Sequence, residues 1–476
     1  MKRWTAPLAM LFSFGLGLAG GCQHLYHLGN DGDGSGTGGT APDLGSGIAC
    51  DSLDCRIDRT CTNGGHTTLR GKVYAPNGTL PLYNAAVFVP SAPVASFPSG
   101  VTCDRCDGKI SNALAATQTG PDGSFLLTDL PGGANVPLVI QLGRWRRQVT
   151  LPAITDCVEN VITEPALTRL PRNRIEGEIP QIAIATGGAD PFECLLLKMG
   201  LDATEITSPD DPHPGRIHFY LGTDVPGTNL AKPAPRASEL YASLANLLRY
   251  DVVLLPCEGG AYDKSQVDGV PLASDPRALL GKYLDAGGRV FTTHYSYDWL
   301  TYTGSPFNKI AAPQRGDGQW PVGQPDDFNH TIAARLDVSF PKGAAFAEWL
   351  QFAGASSAQD QLDIEQGRHD VTGVDTAYAQ PWATNNFSSV GSGPGVMHFT
   401  LNTPLDAPKD DLGVPAYCGR LVFSDFHVTA NALQSTTLPF PAACAATPLT
   451  DQEKALVFML FDLSSCVQQD TANPIL

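Results

Sequence analysis

The amino-acid sequence predicts a multidomain fold class, an antiparallel β-sandwich followed by a doubly wound α/β domain, and three features carry that expectation. Between Thr67 and Pro152 short β-type runs alternate with turn signals. From Ile179 the pattern changes to unbroken apolar runs separated by segments of helical spacing. Glycine at 49 and proline at 38 among 476 residues mark many turns and disfavour an all-helical chain. That length exceeds what one hydrophobic core serves, so two or three domains are expected. The boundaries read as a signal peptide over 1–22, a Gly-rich and Cys-containing linker over 23–64, a sandwich over 65–170, and an α/β domain over 176–470 with an insertion near 301–392.

The N-terminus has the layout of an export signal. Lys2 and Arg3 give a short positive region, Ala6 to Leu18 run apolar, and the small residues Ala19, Gly20 and Gly21 precede Cys22. The apolar run is too short to span a bilayer comfortably. Leu18-Ala19-Gly20-Gly21-Cys22 resembles a bacterial lipoprotein signal, departing from it at Ala19, where a larger aliphatic residue is usual. The resemblance implies that Cys22 is acylated, becomes the mature N-terminus and anchors the chain to the outer membrane or cell surface. Ordinary signal cleavage, with Cys22 left as a thiol, is the alternative. Both readings export the protein. The tract from Gly29 to Gly47 has few apolar residues to offset the entropy of ordering and reads as a tether. Its Asp31, Asp33 and Asp43 lack the spacing and closing glutamate of a calcium loop.

Twelve cysteines suit an exported chain, because disulfides persist where the surroundings oxidise. With Cys22 set aside an odd number remains, so at least one thiol is free or bridges another chain. Six precede the α/β domain (Cys50, Cys55, Cys61, Cys103, Cys106, Cys157) and five lie in it (Cys194, Cys257, Cys418, Cys444, Cys466), which puts the odd one in the second group. Cys103-Asp104-Arg105-Cys106 is a CxxC with no second CxxC and no strand-to-helix setting. Disulfides to other cysteines of the N-terminal half are therefore expected of it, rather than zinc or redox chemistry. With 31 basic against 48 acidic residues the net charge is −17, and no basic run is available to meet a phosphate backbone. Nucleic acid is not an expected partner.

In the first domain the β-type runs are Leu69 to Tyr74, Ala85 to Val89, Ala113 to Thr119, Phe125 to Leu127, Pro137 to Leu142 and Arg147 to Leu151. Pro76-Asn77-Gly78, Pro121-Asp122-Gly123 and Pro131-Gly132-Gly133 mark turns between them. Gly71-Lys72-Val73-Tyr74, Pro81 to Val87, and Thr117 to Phe125 resemble the carboxypeptidase regulatory-like domain. That family's relatives include carbohydrate-binding-like sandwiches, so a glycan ligand is what the resemblance permits. Trp145, flanked by Arg144, Arg146 and Arg147, either stacks on a sugar or packs at the edge of a core.

The second domain opens with the apolar run Ile182 to Ala185, a helix from Phe192 to Met199 and a strand from Ala203 to Ile206. A helix near Leu240 to Leu248, a strand from Asp251 to Pro256, a helix near Pro276 to Ala286 and a strand from Arg289 to Thr293 follow. Strands at Gly395 to Thr400 and Arg420 to Ser424 and a helix from Gln452 to Leu463 close the chain. Unbroken apolar runs suit parallel strands buried on both faces.

In such sheets ligands bind at the carboxyl ends of the strands. The residues there are Thr186 to Asp190, Cys257, Glu258, His294, Tyr295, Asp425 and His427. Tyr250 to Leu255, Leu284 to His294 with Trp299 after it, and Gly419 to Ser424 resemble the class I glutamine amidotransferase-like superfamily and its trehalose-utilisation (ThuA-like) branch. The resemblance implies a flavodoxin-like α/β fold and a hydrolytic site. It departs from the amidotransferases where Leu255 replaces the elbow glycine and where Val428 and Thr429 follow His427 in place of His-x-Glu. Cys257, Glu258, His294, Asp425 and His427 are thus the candidate catalytic residues, and Asp190, Tyr295 and Trp299 the candidate ligand-binding ones. His294 and His427 leave metal, acid–base and purely structural roles open. No metal site is assigned and no cofactor is expected. A Cys194 to Cys257 disulfide, expected in an oxidising compartment, competes with the nucleophile reading of Cys257.

Two functions follow from this reading. One is an exported, lipid-anchored surface protein that binds carbohydrate without turnover. The other is a hydrolase acting on a sugar-derived or amide substrate.

Overall fold

The computed structural model describes residues 52–475 apart from 223–228, 231, 268, 302–306, 309, 314–330, 369, 388–392 and 429–437. The expected signal peptide, its Cys22 and the Gly-rich tether lie outside the described residues. Residues 50–476 form one compact unit, mostly β-sheet with a few helices and several separate sheets.

All six β-type runs of the first domain fall on strands: β1 (Thr68–Lys72), β2 (Ala86–Pro90), β3 (Ala113–Gln118), β4 (Ser124–Thr128), β5 (Gly133–Leu142) and β6 (Trp145–Ile154), with a short β7 (Glu159–Val161) that the sequence reading lacked. They make two sheets, ordered β4-β1-β7 and β3-β2-β5-β6. Alternation puts Leu69, Phe125 and Leu127 of the first inward against Val87, Val89, Leu138 and Ile140 of the second, in one apolar cluster. Trp145 is fully buried, edge-on to Phe461 at 5.7 Å, and so packs a core rather than offering a face to a sugar.

The second domain is organised by a ten-stranded sheet. Its strands are β8 (Ile182–Ala185), β9 (Ile206–Thr207), β10 (Ile217–Tyr220), β11 (Val252–Leu255), β12 (Arg289–Thr293), β13 (Thr331–Leu336), β14 (Gln361–Glu365), β15 (Ala379–Phe387), β16 (Gly393–Thr403) and β17 (Gly419–Ser424). The order is β14-β13-β15-β16-β17-β12-β11-β8-β10-β9. Six strands from β9 to β17 run parallel, and β16, β15, β13 and β14 continue the sheet antiparallel. Successive residues of the parallel strands enter different clusters. Ile182, Ile184, Val252, Leu254 and Phe291 join the core shared with the sandwich, and Ala183, Ala185, Val253, Leu255 and Val290 join the core on the other face. Burial on both faces is why these runs show no polar alternation.

The main helices are α1 (Phe192–Lys198), α2 (Pro276–Asp285), α3 (Pro341–Phe352) and α4 (Asp451–Ser464). A capping box, Thr450 with Glu453, starts α4. Its Phe458 stacks on Tyr83 of the sandwich at 5.9 Å, and Trp349 of α3 donates its indole N–H to Pro81 O at 2.8 Å.

Three expectations are corrected. Much of the stretch expected as an irregular insertion over 301–392 extends the main sheet through β13 to β15 and adds α3, with 302–306, 309, 314–330, 369 and 388–392 outside the described residues. The CxxC cysteines pair with the C-terminal half, Cys103 with Cys418 and Cys106 with Cys466, because the 103–106 loop lies against the amino ends of β12 and β17. Cys194 bridges Cys444, not Cys257, although β8 and β11 are adjacent as that bridge required. Cys61 pairs with Cys157, and Cys257 is a free, buried thiol.

Candidate functional site

The carboxyl ends of β8, β11, β12 and β17 meet at one buried cluster. Cys257 leaves β11 two residues after its end, and its backbone N–H donates to Thr293 Oγ1 at 3.0 Å. Gly187, in the loop after β8, lies so close that a Cβ there would stand 2.1 Å from Cys257 O, a clearance only glycine provides. His294 follows β12 directly and holds φ +44°, the left-handed region that costs a β-carbon-bearing residue energy. The left-handed turn at this edge is thus at His294, and Cys257 does not have a positive φ.

His294 Nδ1 lies 3.3 Å from Cys257 Sγ and 3.0 Å from His427 Nε2. All three side chains are buried, and the Gly259 backbone N–H donates to Cys257 Sγ at 3.3 Å. On the far side of the ring, His294 Nε2 lies 3.1 Å from Asp370 Oδ2. Asp370 is brought there by Asp425, whose carbonyl accepts from Arg368 N at 2.8 Å and whose Oδ2 accepts from Val371 N at 3.2 Å. Asp190 braces the same edge: its Oδ2 accepts from Thr293 Oγ1 at 2.5 Å and its Oδ1 from Val428 N at 2.7 Å.

Burial dominates the protonation of the cluster. It pushes the Cys257 thiol up to about 12, with the neighbouring Asp190 adding to the rise. Burial and then the Arg368 guanidinium hold His294 well below the usual imidazole range, and burial with His294 and Arg368 does the same to His427. Burial followed by Asp370 raises Asp425 well above the usual carboxylate range, and burial lifts Asp190 to about 7. At neutral pH the cluster thus holds a thiol, neutral imidazoles and a protonated carboxyl.

Of the residues singled out in the sequence, Cys257, His294 and His427 come together, with Asp425 and Asp190 supporting them. Glu258 instead pairs with Lys264 at 2.7 Å, both buried, in a group that includes Asp298. Trp299 does not form a sugar-stacking wall: it is buried edge-on to Tyr241 at 5.2 Å. Tyr295 packs on His294 with the rings tilted by 35° and their centroids 3.8 Å apart. Asp370 and Arg368 were missed, because they sit in a stretch without periodicity that no motif distinguishes. No helix among the described residues is long and apolar enough to cross a membrane.

No protein-family model matches the chain, and no curated protein matches it. A cytoplasmic protein from Salmonella typhimurium is similar in structure at 11% identity and a TM-score of 0.32, covering 61% of this chain and 100% of that one. A type II cohesin–X-dockerin complex from Acetivibrio cellulolyticus is similar at 13% identity and a TM-score of 0.16, covering 28% of this chain and 84% of that one. Likeness at these TM-scores carries no functional argument.

Proposed function

We propose that the chain is an exported protein with a hydrolytic centre at the carboxyl edge of its parallel strands, acting on a sugar-derived or amide substrate. The observation that carries this reading is the buried His294–His427 pair at 3.0 Å, with His294 on a strained turn and its Nε2 3.1 Å from the Asp370 carboxyl. Imidazoles and a carboxyl are the residue types of acid–base catalysis, and the cluster brings both to one strand edge. The sheet order and the motifs around His294 support a flavodoxin-like, class I glutamine amidotransferase-like domain of the ThuA-like kind. Cysteine nucleophilic catalysis is not part of the proposal, because burial raises the Cys257 thiol and opposes the thiolate. The disulfides support export, and the signal at Cys22 supports a lipid anchor. Metabolic labelling with a fatty acid that leaves Cys22→Ser unlabelled bears out the anchor, and an unlabelled mature wild type removes it.

The test of the centre is turnover of glycosides, sugar derivatives and primary amides by the wild type, lost in His294→Ala while its thermal unfolding stays cooperative. Turnover that survives the substitution overturns the assignment. A second reading, glycan binding without turnover, is favoured by a separate cavity of about 400 Å³ lined by Asn84, Gln118, Gln141, Arg146 and Phe88. Glycan binding that persists in His294→Ala, with no hydrolysis by either protein, selects that reading.

A further inference from the structure

We propose that Cys257 Sγ, His294 Nδ1 and His427 Nε2 form a three-ligand site for a zinc-class divalent cation, leaving a fourth position for water or substrate. The proposal rests on the reading of this cluster as a working centre and names what its imidazoles hold. Those three ligand atoms all lie within 4.8 Å of one another. A tetrahedral ion with bonds of about 2.3 Å to sulfur and about 2.0–2.1 Å to nitrogen separates two nitrogens by about 3.4 Å and nitrogen from sulfur by about 3.6 Å. The observed 3.0 Å and 3.3 Å are a few tenths of an ångström shorter, and the third edge, His427 Nε2 to Cys257 Sγ, falls within 4.8 Å.

The groups around the three ligands point the same way. The Asp370 carboxyl lies 3.1 Å from His294 Nε2, on the side of the ring away from the thiol and the second imidazole. The Gly259 N–H, 3.3 Å from Sγ, is placed to stabilise sulfur as a thiolate. Two imidazole nitrogens and one thiolate make a borderline-soft donor set, which suits zinc over magnesium or calcium. Three protein ligands are the number found in catalytic zinc sites, where water or substrate completes the coordination, rather than the four of structural ones. A second grouping among the described residues, Asp58 with Cys61 and Cys157, is excluded because its cysteines form a disulfide. When zinc binds, the thiol proton leaves to solvent, and His427 takes the tautomer that frees Nε2.

Full-length processed protein, stripped with a chelator and dialysed, is the material for the test. Titration with Co²⁺ is expected to produce a thiolate-to-cobalt charge-transfer band that saturates at one ion per chain and is displaced by Zn²⁺. Cys257→Ser is expected to abolish the band, and His427→Ala to weaken Co²⁺ binding at least tenfold. Wild-type protein that gives no such band, and takes up no Zn²⁺ in equilibrium dialysis, overturns the proposal without relying on any variant folding. Bound metal with no hydrolysis keeps the metal site and sinks the hydrolase reading. Hydrolysis unchanged by stripping, with no cobalt–thiolate band, does the reverse.

Discussion

Strand β17 buries polar groups at both ends, and at its amino end opposite charges pair closely enough to overcome burial. There Arg420 reaches both Asp462 and Asp470 at 2.7 Å, and Lys342 meets Asp462 at 2.9 Å. Burial acts to raise Asp462, yet Arg420 and Lys342 overcome it and hold this carboxyl low. Burial opposes the charge on Arg420, yet Asp462 and Asp470 overcome that too. At the carboxyl end the Val371 and Asp370 N–H groups and Arg368 act to lower Asp425 but do not overcome burial, and burial sets the protonation of His427 too. The amino end is also held by the Cys103–Cys418 and Cys106–Cys466 bridges. One end of the strand is built to hold the domains together, and the other keeps groups whose charge changes with what binds.

The largest effect that tests this contrast is expected from Arg420→Ala. Removing the cation leaves two buried carboxylates with Lys342 alone, and breaking a buried network of this kind costs about 3–5 kcal/mol. Denaturant unfolding measures it. A loss near zero would show that the amino end is not the structural lock and erase the contrast.

Next comes the double substitution Cys106→Ser with Cys466→Ser. The bridge closes a sequence separation of 360 residues, and losing such a constraint on the unfolded chain costs about 2–4 kcal/mol. Calorimetry under non-reducing conditions reads the drop in Tm. An unchanged Tm would mean that the packing of Tyr83 and Trp145 against α4 joins the domains unaided.

A pH dependence separates uncompensated from compensated acids. Burial pushes Asp298 up to about 7 despite Lys264, Arg277 and the Trp299 backbone N–H. Its folded value exceeds its unfolded one, so the folded chain holds this proton more tightly. The stability it contributes is fully present below about pH 4 and is lost as pH rises to about 7, at about 1.4 kcal/mol per pH unit within that window. Asp298→Asn is expected to flatten that part of the profile when unfolding midpoints are measured across it. An identical slope in the variant would assign the dependence to other groups.

The parts of this molecule legible in the sequence were those fixed by local pattern. The runs at Ile182, Val252 and Arg289 fell on buried parallel strands because burial on both faces removes the apolar–polar alternation of a half-exposed strand. His294 and His427 were placed at strand ends for the same reason, and they meet. The partner of Cys194 was not legible, since it depends on where the 438–447 segment lies in space. Asp370 was missed because a carboxylate becomes a partner of His294 only through the backbone contacts of Asp425. The strained turn at His294 carries no sequence mark either, because φ is set by the strands and loops around it.

The smallest effect, and the most discriminating, is expected from Cys257→Ser in metal-free protein. A buried cysteine behaves as a small apolar side chain, and serine is smaller, so the substitution opens little space and causes no overlap. Burying a hydroxyl costs free energy, but His294 Nδ1 at 3.3 Å and the Gly259 N–H at 3.3 Å from the sulfur offer it an acceptor and a donor. A hydrogen bond formed there contributes about 1 kcal/mol, close to what the lost packing removes. The net change is expected within about 1 kcal/mol, far below the loss from Arg420→Ala. In saturating zinc the two proteins should separate, because an ion at 100 times its Kd adds about 2.7 kcal/mol to the wild type alone. Unfolding both with and without the ion measures this. A metal-free loss as large as that of Arg420→Ala would place Cys257 among the structural groups, and the two ends of β17 would no longer differ in kind.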